Sequence, residues 1–184
     1  MKRLTIVPLA CLALAACNQS AVSLTNASPE EVAKAAQASG AKVQMRPGQW
    51  ETRIEILKMD MPGMEKMPAE YAEKMKTELM KPRTVESCMT EEDMKDRQSK
   101  IFTGGGDSKC KFEKYEMSGG SIDAVMNCPG PAGDTKMKMK GSFNGDTFTV
   151  SQEMDMKGPT GNAHSEARIS GKRIGECPAT PAKK

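Results

Sequence analysis

The sequence predicts a mainly antiparallel β (α+β) domain, a curved meander sheet with one or two covering helices. Three observations predict it. Trp50-Glu51-Thr52-Arg53-Ile54-Glu55-Ile56 alternates strictly, which places Trp50, Thr52, Ile54 and Ile56 on one face of a half-buried strand. Asn144-Gly145-Asp146 separates two alternating runs, Met137, Met139, Gly141, Phe143 before it and Phe148, Val150, Gln152, Met154 after it, a strong hairpin signal. The remaining segments after Cys110 are also short, strand-like and punctuated by glycine.

In chain order, Lys2 and Arg3 precede the apolar stretch Leu4 to Leu14, which has signal-peptide length and is too short to be a permanent membrane span. It ends in Leu14-Ala15-Ala16-Cys17, which resembles the lipobox of bacterial lipoproteins. The resemblance implies cleavage after residue 16 and lipidation of Cys17. Several acyl chains on one residue would be a firm membrane anchor, where a single chain binds weakly and reversibly. Asn18 follows, where inner-membrane retention in such proteins uses Asp, so the expected place is the outer membrane, facing the periplasm. Residues 17–44 read as a lipidated, polar tether. Within it Ser28-Pro29-Glu30-Glu31 supplies an N-cap, a proline at the first helical position and a capping-box glutamate, so a helix is expected from Pro29 to about Ser39, ended by Gly40. Its apolar face is only Val32, Ala35 and Ala36, which suggests a weakly docked spacer.

Residues 45–178 read as the β-rich domain and 179–184 as a disordered tail. After the Trp50 strand, Pro62 and Pro68 break the pattern. Ala69 to Met80 follows as a helix with Tyr71, Met75 and Leu79 at four-residue spacing. Thr84 to Cys88 reads as a short strand, and Thr90-Glu91-Glu92-Asp93 opens another short helix. Gly104-Gly105-Gly106 reads as a loop, since no phosphate-binding motif accompanies it. Lys111 to Met117 and Ser121 to Asn127 are expected strands around Ser118-Gly119-Gly120, and the last strand is expected over about Ala163 to Ser170.

Without Cys11, in the signal segment, and Cys17, four cysteines remain: Cys88, Cys110, Cys128 and Cys177. An even set in an oxidising compartment suggests two disulfides. Folding the chain about Gly119 brings Cys110 opposite Cys128, at a separation a disulfide spans, which leaves Cys88 for Cys177. There is no C-x-x-C pair, and the spacings of 22, 18 and 49 residues do not suit zinc.

The formal net charge of +3 falls to +1 once Lys2 and Arg3 are removed, and the charges are interspersed, so nucleic acid is not an expected partner. His164 is the only histidine and falls on the outward side of its strand, and no nucleophile elbow or redox cysteine pair is present, so no enzyme is expected. Sixteen methionines raise one sharper reading. Met59, Met61, Met64 and Met67 crowd a segment with prolines and glycine, where thioethers would suit copper(I) or silver(I). The commoner use of methionine is adaptable apolar packing, which also fits Met137, Met139, Met154 and Met156 on shared strand faces. No cofactor is expected under that reading.

Pro47-Gly48-Gln49-Trp50-Glu51, Met61-Pro62-Gly63, Cys88-Met89-Thr90 and Gly175-Glu176-Cys177 together resemble the proteobacterial envelope family called domain of unknown function 3617, over about residues 45 to 177. The resemblance implies an envelope protein with paired cysteines and no established catalytic residues. The expected role is a membrane-anchored, non-enzymatic binding or structural module whose partner is an envelope protein or an apolar ligand.

Overall fold

The computed structural model describes residues 20–95, 109–131, 133–159 and 161–178. Among them the chain forms one eight-stranded sheet in which every pairing between named strands is antiparallel. In chain order the strands are β1 (Val22–Ala27), β2 (Gly48–Asp60), β3 (Arg83–Met89), β4 (Lys111–Ser118), β5 (Ser121–Cys128), β6 (Asp134–Asn144), β7 (Thr147–Gly158) and β8 (Gly161–Gly175). Their spatial order is β1-β4-β5-β6-β7-β8-β2-β3. Strands β4 to β8 are the expected meander. The first long strand then returns to pair with the last, so Gln49 faces Gly175 and Ile54 faces Ile169.

Tight turns set the register. Gly119 and Gly120 both have positive φ, the geometry of a two-residue hairpin turn, and pair Ser118 with Ser121, while a bulge between Phe112 and Lys114 shifts the register so that Lys111 meets Asn127. The Asn144-Gly145-Asp146 turn sets Phe143 against Phe148 and Met137 against Met154. Because side chains alternate, Lys136, Lys138 and Lys140 lie on the outer face while Met137 and Met139 lie on the inner one. The expected strand over 163–170 is the middle of the longer β8, since both its edges are paired by β7 and β2.

The tether expected over 17–44 is corrected over its described part. Val22–Ala27 pairs with β4, and α1 (Pro29–Ser39) packs into the core, with Val32 and Ala36 essentially inaccessible. The helix has the expected cap: Glu31 N–H donates to Ser28 Oγ and Ser28 N–H to Glu31 Oε2. Its small apolar face is suited to close approach. The buried cluster that it joins contains Phe112, Tyr115, Met117, Ile122, Ala124 and Met126. No local pattern announces this strand, because β1 is short and takes its partner from the edge of β4, a tertiary cause.

The second helix, α2 (Ala69–Leu79), buries none of its residues, and Tyr71 is 60% exposed. A 3₁₀ turn (Met64–Lys66) precedes it. Residues 91–95 are helical, opened by Thr90, whose hydroxyl accepts from the Asp93 N–H. The signal segment, Cys17, Gly104-Gly105-Gly106 and the tail over 179–184 lie outside the described residues.

Candidate functional site: an apolar cleft on the inner face of the sheet

The inner face carries a cleft of about 840 Å³. Its floor comes from alternate residues of successive strands: Met126 on β5, Met137 and Met139 on β6, Val150 and Gln152 on β7, Ile169 on β8, and Ile54 on β2. Residues as far apart in the sheet as Phe112 on β4 and Ile54 on β2 face the same space, so the sheet curls around it. Chain outside the strands supplies walls: Val43, Met45 and Pro47 from the segment before β2, and Met94 and Lys95 from the short helix after Met89. The volume falls in the range of about 300–1,000 Å³ usual for small-molecule sites.

The lining is apolar with few polar groups. Gln152 and Thr52 are the polar strand residues of the lining, and Lys42, Glu91 and Lys95 bring charge to it. Such a set can hold an apolar body by burial and orient a polar end by hydrogen bonding or charge. One end is braced by aromatic rings. Phe148 lies 5.7 Å from Trp50 and 6.0 Å from Phe143 between ring centroids, and a side chain at Gly171 would run into the Phe148 ring.

The Pro-Gly-x-Trp motif locks this end. Gly48 has φ 145°, and an added Cβ would sit 2.4 Å from the carbonyl oxygen of Gly175. The Arg173 Nε–H donates to the Pro47 carbonyl at 2.6 Å, and the Trp50 indole N–H donates to the Arg46 carbonyl at 3.0 Å. Arg46 in turn pairs with Asp146 in the β6–β7 turn. The motif therefore joins the start of β2, the end of β8 and the hairpin turn beside the cleft.

Two disulfides flank the sheet. Cys110 and Cys128 face each other across β4 and β5 with Cα atoms 4.1 Å apart. Cys88 on edge strand β3 is bonded to Cys177 beyond β8, with Cα atoms 5.3 Å apart. Of the loop methionines, Met59 is on β2, Met61 follows that strand, Met64 begins the 3₁₀ turn and Met67 caps it. None of the four lines the cleft. Gln152, Met45, Met94 and Phe112 line it and were not singled out from sequence. The two-residue spacing of Gln152 from Val150, which puts both on one face of the strand, was the available signal for the first, while the wall residues depend on tertiary placement.

The outer face is an ion-pair ladder. Lys138 Nζ donates to Glu153 at 2.9 Å, and Lys136 to Glu113 at 2.8 Å. His164 lies on this face, its Nδ1 2.7 Å from Asp155 and its Nε2 3.1 Å from Glu166. Glu153, Asp155 and His164 have ligand atoms within 4.8 Å of one another, a grouping that can hold a cation. In the structure each already has an opposite charge or hydrogen-bonding partner, so pairing explains the cluster. The Asp155 carboxylate, then that of Glu166, holds His164 protonated above the ordinary value of 6.5, and the bond to His164 holds Asp155 below its own. A raised histidine value stabilises the fold at pH below 6.5, and that contribution is lost as pH rises through the folded-state value. Urea midpoints measured from pH 5.5 to 8.5 should thus fall more for the wild type than for His164→Gln. Parallel curves would contradict the pairing.

A family model described as protein of unknown function (DUF3617) matches residues 45–177. The chain belongs to this family. No curated protein and no solved structure matches it. The DUF3617 match begins at Met45, on the cleft wall, and ends at Cys177, in the bridge to β3. In the sheet these two ends of the DUF3617 region are neighbours, through the pairing of Gln49 with Gly175. The cleft floor lies within the matched residues, whereas β1 and α1 lie before them.

Proposed function

We propose that this chain is a membrane-anchored envelope lipoprotein that binds an apolar or amphiphilic ligand, with an acyl chain as its apolar part, and performs no catalysis. The cleft of about 840 Å³ on the inner face carries this reading, because its floor is built from the apolar side of five consecutive sheet neighbours and its polar groups are few. Burial of apolar surface, at about 25 cal/mol per Å², would supply the affinity. Gln152 and Thr52 would receive a polar group of the ligand within the cleft. The anchor is supported by Leu14-Ala15-Ala16-Cys17, and an outer-membrane, periplasm-facing location by Asn18. Two disulfides suit an oxidising compartment.

Native mass spectrometry of the chain purified from the cell envelope tests this reading. A lipid-sized mass should be retained under gentle conditions and released by organic solvent. Protein that carries no such mass, and takes none up from phosphatidylethanolamine vesicles, would overturn it.

A further inference from the structure

Register places three methionines side by side on the inner face. Met126 on β5 faces Met137 on β6, and Met137 faces Met154 on β7. Directly opposed residues on adjacent strands have Cβ atoms about 4.5–5.5 Å apart, close enough for flexible thioether side chains to converge. Met126 is 5% exposed, whereas Met137 and Met154 are half-buried, and Met126 and Met137 both line the cleft. The row is thus reachable from the cleft. On its flanks Phe112 faces Met126 and Ser165 faces Met154, so no carboxylate stands in the row to favour a hard cation.

We propose that Met126, Met137 and Met154 form a three-thioether site for a soft monovalent cation, copper(I) or silver(I). Thioethers are soft, neutral donors that suit such an ion over the hard cations drawn to carboxylates. The site differs from the sequence-expected group Met59, Met61, Met64 and Met67, of which Met59 alone shares the row, beyond Ser165. It shares Met126 and Met137 with the cleft lining, whereas Met154 lies outside that lining.

Silver(I), added as the nitrate without chloride or thiols, is the probe. Native mass spectrometry should find one retained ion, and protein labelled with methyl-¹³C methionine should show shifts centred on the Met126, Met137 and Met154 methyls. M137L/M154L should weaken retention at least tenfold, and M61L/M64L/M67L should retain silver. No retained ion, or shifts centred on Met61, Met64 and Met67, would overturn the proposal. So would unchanged affinity in M137L/M154L with native circular dichroism. Should that variant not fold, the wild-type methyl shifts decide.

Discussion

Replacing Cys88 and Cys177 with alanine should cost the fold about 4.5 kcal/mol, the larger of the two disulfide losses. The bridge spans 89 residues, against 18 for Cys110–Cys128, and in the chain-entropy account the constraint on the unfolded state grows with the loop, giving about 4.5 against about 3 kcal/mol. The native geometry points the same way. Among the described residues strand β3 pairs with β2 alone, and Arg83 to Glu86 are exposed, so little burial holds this edge. The bridge ties it across β2 to the segment after β8. Without it, β3 should fray first and carry away Met89, which is buried and lines the cleft. Urea unfolding gives the energy, and hydrogen exchange locates the loss. A cost below that of Cys110→Ala/Cys128→Ala, or exchange spread evenly over the sheet, would contradict this account.

Much of the sheet was legible because its signals are local. The Asn144-Gly145 turn and the flanking alternation fix β6 against β7, and Ser118-Gly119-Gly120 fixes β4 against β5. The opposition of Cys110 to Cys128 needs one thing more than that turn: Ser118 faces Ser121, and the bulge between Phe112 and Lys114 shifts the pairing by one residue. The capping box at Ser28 marked the start of α1. What the helix packs on was not legible: Val32, Ala35 and Ala36 make a small apolar face, and only the open edge and inner face of β4 and β5 give it a core to join. Likewise the tie between Trp50 and Arg46, or between Gly48 and Gly175, depends on a pairing of distant strands that no local pattern announces.

The cleft shows the same division. Its floor could be read as the apolar side of alternating strands, Met137, Met139, Val150 and Ile54 among them. Its existence as a space required curvature and the walls from Val43 to Pro47 and from Met89 to Lys95, which are tertiary. The methionines divide by context as well. The loop group was conspicuous in one dimension, whereas Met126, Met137 and Met154 are separated in sequence and become neighbours through strand register.

The second large effect is expected at Val150, half-buried on the cleft floor between Gly141 and Ile169. A lysine there would place a cation against apolar walls and remove contact area from any acyl chain, while Ser151, the next residue, points to the outer face. The direct measurement is titration of a fluorescent eighteen-carbon fatty acid into wild type, Val150→Lys and Ser151→Lys, with circular dichroism establishing that each is folded. The account predicts saturable binding by wild type and Ser151→Lys, weakened at least tenfold, about 1.4 kcal/mol, in Val150→Lys. Equal affinity in all three folded proteins, or no saturable binding by the wild type, would contradict the claim that the inner cleft is the ligand site.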